Sequence, residues 1–427
     1  MLTYFLFFFY LFSGTILLHI IVRRKVSPFT IYHTVAIVLF KVFMGCLYGW
    51  VFLHYYNGDD TWNYFNESKD ETTLLMQHPL RFFHPFSPLY ALQVNGNHGW
   101  DAFAFYVNHF ERLFVIKGLA ILNLLTGKSY YTDVLLFEFL VIAGPFLLFK
   151  LLAREFPRRT GMNFLLVFFI PSISFWCSGI RSEALILLFI TLAIYNGNEY
   201  VQNPNGKSAA GIGLAFAGFL LFRFQYLVFF LPAFLAYLIS VRKNRSGPVY
   251  FNRVYAAVLL IFIGSLFLPP AYQLSRPMIH SQQSFFELHG NTRYALDSLQ
   301  PGPLSFFKIL PQAIANSSFR PYPWEGKGLL QSLSSIESIF LFAGFLFFIL
   351  SFPAKNKGKG PLLWFFIYYG VSQIIAIGYS VPFPGAIVRY RSIPLLFIFL
   401  FLFSANNILH QKLTRGLFPK TLNKIIM

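Results

Sequence analysis

Long apolar runs separated by short basic clusters organise this chain. They cover residues 2–22, 31–55, 132–150, 163–175, 184–195, 209–222, 226–241, 254–270, 336–352, 361–378 and 393–408. A helix needs about 20 apolar residues to cross the hydrocarbon core, so the shorter runs span only with bilayer thinning or support from neighbouring helices. The pattern predicts an all-α polytopic membrane protein of about 11 transmembrane helices. No basic residue precedes the first run, no small-residue cleavage site follows it, and Arg23-Arg24-Lys25 closes it. It therefore reads as an uncleaved span rather than a signal peptide.

The polar connections set an orientation. With the N-terminus outside, alternate connections fall in the cytoplasm and carry Arg23, Arg24 and Lys25; Lys150, Arg154, Arg158 and Arg159; Lys207; Arg242, Lys243, Arg245 and Arg253; and Lys355, Lys357 and Lys359. The tail 409–427 adds Lys412, Arg415, Lys420 and Lys424. Each is basic, as the positive-inside bias requires. Two long segments, 57–131 and 271–335, then share the outer side as large loops with interfacial helices. In the first, 111–125 is an amphipathic run suited to the interface. The second ends in Phe319-Arg-Pro-Tyr-Pro-Trp-Glu325, with rings and charges suited to the headgroup level. No internal repeat divides the chain, so residues 1–427 read as a single integral membrane domain.

Composition agrees: 56% of residues are hydrophobic and 12% charged, a balance that a soluble domain cannot carry without large exposed apolar patches. The excess of 34 Lys+Arg over 16 Asp+Glu would suggest nucleic acid in a soluble protein. Here the bases sit between apolar runs and serve topology and lipid headgroups, so no nucleic-acid partner is expected. Cys46 and Cys177 are too few for a disulfide framework and read as packing residues.

Candidate chemistry starts at Tyr56-Asn-Gly-Asp-Asp-Thr-Trp-Asn-Tyr64, where Asp59 and Asp60 follow directly on a span. Asn-Gly-Asp is strong turn and capping chemistry, but paired carboxylates at a membrane exit also suit a cation, a proton or a sugar hydroxyl. Arg181 in Gly179-Ile-Arg-Ser-Glu183, Arg223, and Arg389 with Arg391 in Val388-Arg-Tyr-Arg-Ser392 fall on the outer side, against the basic bias. Guanidinium suits bidentate phosphate recognition, and a lipid phosphate meets the membrane at this level. Arg181 and Glu183 can also pair with each other, and Arg389 and Arg391 can anchor a span end. Lys41, inside the second run, needs a partner. His78, His84, His98 and His109 share the first loop without metal-ligand spacing, and His280 and His289 read as surface groups. Asn66-Glu-Ser68 and Asn316-Ser-Ser318 match glycosylation sequons.

The acidic motif opening the first large outer loop, the basic-acidic pair in a hairpin between short spans and the late Arg-rich outer turn together resemble the GT-C fold glycosyltransferases. The resemblance covers the membrane core, residues 31–408, as arrangement rather than sustained identity. Asp60-Thr-Trp-Asn-Tyr64 matches the Asp-x-x-x-Tyr pattern of related transferases. The chain departs from that family in lacking an acid directly after Asp60, in having a span ahead of the motif, and in ending without a large soluble outer domain. The resemblance implies transfer of a sugar from a polyprenyl-phosphate donor to a hydroxyl of a glycan or lipid acceptor. Asp60 is then the expected general base, Asp59 positions the acceptor or tunes Asp60, and Arg389, Arg391, Arg181 and Arg223 clamp the donor phosphate. Trp62, Tyr64, Glu183 and Tyr390 would support them. No cofactor is specified, although a divalent cation assists some members of the family. A bacterial inner membrane is the expected location, with the site facing outward. The alternatives are a lipid-linked polysaccharide polymerase or ligase, which would make ladders of product, and a lipid-linked sugar carrier.

Overall fold

A computed structural model of the protein describes residues 1–25, 29–86, 100–245, 247–269, 272–289, 292–325, 328–350 and 360–405. His98, the connection 351–359 and the tail 409–427 lie outside these. Among the described residues all regular structure is helical. Seven helices are long and apolar enough to cross a membrane: Leu2–Arg24, Ile31–Tyr56, Tyr130–Glu155, Ser182–Gln202, Phe224–Arg242, Pro361–Ser380 and Pro384–Ser404. Three shorter apolar helices, Gly206–Phe222, Val249–Ser265 and Gln331–Leu346, accompany them. The protein is thus a polytopic, all-helical membrane protein.

The elements that position the site are α1 (Leu2–Lys25), α2 (Ile31–Tyr56), α3 (Asp60–Gln77), α4 (Trp100–Thr126), α5 (Tyr130–Val141), α6 (Ala143–Glu155), α7 (Thr160–Phe168), α8 (Pro171–Trp176) and α9 (Ser182–Gln202). After these come α10 (Gly206–Phe222), α11 (Phe224–Arg242), α12 (Val249–Ser265), α13 (Arg276–Glu287), α14 (Pro303–Ile314), α15 (Leu329–Leu350), α16 (Pro361–Ser380) and α17 (Pro384–Ala405). Two prolines shape the bundle. Pro145 has no N–H for the Val141 carbonyl, and the span Tyr130–Glu155 bends between α5 and α6. Pro171 restarts the helix after Phe169 and Ile170, so the apolar run 163–175 is divided between two short helices.

Polar contacts mark the two ends of the bundle. At one end Lys150 donates to Tyr195 at 2.6 Å, Arg154 pairs with Glu199 at 2.5 Å, Tyr237 donates to Asn198 at 2.9 Å and Ser404 to Asn163 at 3.2 Å. The other end gathers Tyr48 near the end of α2, Tyr130 at the start of α5, Arg181 and Glu183 at the start of α9, and Arg389 in the second turn of α17. Between them lies a core rich in Phe, Leu and Ile.

Helices α3 and α4 pack on each other through buried polar groups. Lys117 pairs with Glu71 at 2.5 Å, and Asn123 donates to Ser68 and Thr72. The run 111–125 therefore buries one side in protein while Phe114, Ile121 and Leu124 stay exposed. The segment after α12 folds back on the turn between α16 and α17: Tyr294 donates its backbone N–H to Pro382 at 2.8 Å, and Gln282 donates to the Tyr379 carbonyl.

Candidate functional site

The turn after α2 is built as its residues dictate. Asn57 and Gly58 take φ of 57° and 100°, which ends α2, and Asp59 caps α3. Asp59 Oδ1 accepts the backbone N–H groups of Thr61 and Trp62 at 3.1 and 3.4 Å and the Thr61 hydroxyl at 2.7 Å. Its Oδ2 accepts the Tyr48 hydroxyl at 2.5 Å and Arg181 Nη1 at 3.1 Å. One carboxylate thus caps α3, as the turn chemistry of the sequence predicts, and also pairs with Arg181. Trp62 is held by stacking on Tyr130, with centroids 3.8 Å apart, and by donating to the Gly49 carbonyl.

Arg181 continues the network. Its Nη1 also donates to the Tyr48 hydroxyl at 2.5 Å, and its Nε donates to Glu183 Oε2 at 3.2 Å. Glu183, 1% exposed, presents its other oxygen to Arg389 Nε, so two guanidiniums bracket one buried carboxylate. Arg223 extends the line, 3.3 Å from Glu111 and 3.4 Å from the Ser182 hydroxyl. Burial pulls the Arg181 and Arg223 guanidiniums down, yet Glu183 beside the first and Glu111 beside the second hold both above the ordinary arginine value. They stay charged.

The donors left over matter most. Arg181 Nη2 is buried without a hydrogen-bond partner, and among the described residues the terminal nitrogens of Arg389 make no hydrogen bond. Two guanidiniums therefore keep N–H groups unbonded after their internal bonds are made.

The predicted residues divide unevenly over this network. Asp59, Arg181, Glu183, Arg389 and Arg223 come together, and Tyr390 lies beside them with Arg389 over its ring at 5.4 Å. Asp60 is exposed on the first turn of α3 and makes no hydrogen bond or ion pair among the described residues. Tyr64, one turn on, is partly buried. Burial first, then the charges of Asp60 and Glu111, raises its hydroxyl above the ordinary value.

Arg391 is a correction. Residues 388–392 belong to α17 rather than to an outer turn, and side chains two apart on a helix diverge by about 200°. Arg391 is fully buried, donating to the carbonyls of Arg320 at 2.5 Å and Ser317 at 3.3 Å and to the hydroxyls of Ser334 and Ser338. It ties the second long loop and α15 to α17 and takes no part in the group around Glu183. Sequence reasoning missed Tyr48, because a tyrosine on a span carries no sign of a charged partner.

Among the described residues no three His, Cys, Asp or Glu side chains gather closely enough to hold a metal ion. The sequon at Asn316 is not an acceptor site, because that side chain is 3% exposed and bonded to Ala295 and Arg320. Arg320 also lies over the Tyr294 ring at 3.8 Å and grips Glu325 with Nε and Nη2, while Glu325 accepts the Tyr322 N–H at 2.9 Å. Burial acts to raise the Glu325 carboxyl, but the Arg320 bonds outweigh it and hold the group below its usual 4.5. A depressed acid stabilises the fold above its unfolded value and loses that contribution as pH falls through the folded value. Acidification below about pH 4.5 is therefore expected to loosen this turn, read as a change in Trp324 emission relative to a Trp324→Phe control. Glu325→Gln should flatten the titration; an unchanged curve in that variant would show another group responsible. Compared with protein-family models, characterised proteins and solved structures, the chain matches none.

Proposed function

We propose that this protein is a membrane glycosyltransferase that moves a sugar from a polyprenyl-phosphate donor to an acceptor hydroxyl on the outer face. The observation that carries the reading is the pair of guanidiniums around Glu183, both charged and both with N–H groups to spare, beside a turn carrying two carboxylates. Leaving-group phosphate needs such donors, and electrostatic stabilisation of this kind usually supplies the largest part of the rate. In this reading Arg181 and Arg389 hold the phosphate and Arg223 sets the electrostatic field beside them. Asp59 has five donors on two oxygens and no room for a substrate proton. Asp60, with both oxygens unbonded, is the base that accepts the proton of the acceptor hydroxyl, and Asp59 fixes the turn that presents it. An arrangement of eleven passages, N-terminus on the side of the site, is supported by the alternation of helix ends between the two polar clusters, with α7 and α8 together making one passage.

The test is transfer from a labelled polyprenyl-phosphate sugar in membranes. Asp60→Asn is expected to leave thermal stability unchanged and to slow transfer by at least about 10²-fold, the usual contribution of a general base. Full activity in Asp60→Asn removes that carboxylate from the mechanism. A ladder of products instead of single additions would identify a polymerase.

A further inference from the structure

A charged pair lies inside the bundle, away from the Glu183 network. Lys41 on α2 and Glu138 on α5 are 4% and 1% exposed, and both sit in helices of membrane-spanning length and composition. Ionisable groups at that depth are costly and usually functional. Yet the two ions are not each other's closest partners. Lys41 Nζ stands 3.5 Å from Glu138 Oε2 but donates at 2.6 Å to both the Cys177 carbonyl and the Ser178 hydroxyl. Glu138 Oε1 accepts the backbone N–H of Gly179, also at 2.6 Å. Three successive residues of the connection from α8 to α9 are therefore held by the pair.

That connection leads directly into the site. Gly179 has φ of +76°, and a Cβ on Gly45 would come within 2.9 Å of its nitrogen, so the strand of chain lies pressed on α2 where only glycines fit. The Gly179 carbonyl then accepts the Arg181 N–H at 2.8 Å. One residue separates the backbone that Glu138 holds from the arginine that meets Asp59 and Glu183. A pair serving only the packing of α2 on α5 would spend its shortest bonds on itself.

We propose that Lys41 and Glu138 are positioning residues that fix the connection 177–181 and thereby aim Arg181, an inference whose consequence for phosphate binding rests on the function proposed above. In full-length Cys46→Ala protein, Cys177 is the sole thiol and, at 2% exposure, reports opening of the connection. Replacing the pair together, Lys41→Met with Glu138→Leu, removes all three bonds to the connection without stranding a charge. Maleimide labelling of Cys177 is expected to accelerate by about tenfold or more, because a buried thiol reacts through local opening. Affinity for a short-chain polyprenyl phosphate should fall about tenfold as Arg181 loses its aim. The pair Arg154→Met with Glu199→Leu, at the opposite end of the bundle, should change neither. Labelling at the parent rate in the apolar pair overturns the inference, as does equal acceleration in the distant pair. Should the apolar pair not fold, parent-rate labelling in Ser178→Ala overturns it. Faster labelling together with no phosphate binding by the parent protein refutes the transferase reading alone and leaves the positioning role standing.

Discussion

Glu183→Gln is expected to cost about 3–5 kcal/mol of folding stability, the penalty for removing one partner of a buried ion pair. Glu183 accepts from Nε of both Arg181 and Arg389. An amide in its place turns an NH2 toward one of two guanidinium donors and removes the charge that lets them lie together. Arg181 keeps Asp59, but among the described residues Arg389 has no other carboxylate partner. The excess positive charge, rather than a lost contact, is thus the main source of the penalty. Denaturant-type titration in mixed micelles should show the loss, and adding Arg389→Met should restore much of it. A Glu183→Gln protein as stable as its parent would mean that the arginines do not depend on this carboxylate.

Lys41→Met should be nearly as damaging, at about 3–5 kcal/mol, because it leaves the Glu138 carboxylate inside the bundle without its cation, with only the Gly179 N–H and the Ser178 hydroxyl beside it. Glu138→Leu should behave alike by stranding the ammonium. Replacing both together is expected to cost less than either single change, since buried ion pairs often match apolar residues of similar volume in net stability. The double-mutant cycle measures this as a coupling between the two sites. Costs that simply add would show that the ions do not compensate one another in the fold.

Much of this architecture was legible from hydropathy. The spans from Leu2 to Arg24 and from Ile31 to Tyr56 coincide closely with apolar runs, because lipid-facing and core-facing positions are both apolar and no periodicity is needed to find them. The break within the run 163–175 was not legible because hydropathy sums across Pro171, whose effect is on backbone geometry. The site was legible only as charges in unfavoured places. Arg181, Glu183 and Arg389 stood out in this way, and the structure joins them. Arg389 and Arg391 looked alike because both were read as lying in a turn; on a helix they face different neighbours, and one is consumed by backbone carbonyls. Asp59 and Asp60 differ in the same manner. The first aspartate of the Asn-Gly-Asp-Asp turn faces the helix end it caps, and the second starts the helix with its side chain free. Neighbours in sequence are therefore separated into fully bonded and free side chains by geometry that local composition does not encode.

The alternation of Arg181, Arg223 and Arg389 with Asp59, Glu183 and Glu111 has a kinetic consequence. Three cations and three anions interleaved over a few ångströms cancel beyond about a Debye length, so the network projects little field into solution. A phosphate is not drawn to it from afar, as it would be to a bare basic patch. On the function proposed above, the donor phosphate would arrive already confined to the membrane plane and meet the unspent N–H groups only at contact, so its capture would follow lateral diffusion in the bilayer and depend only weakly on ionic strength.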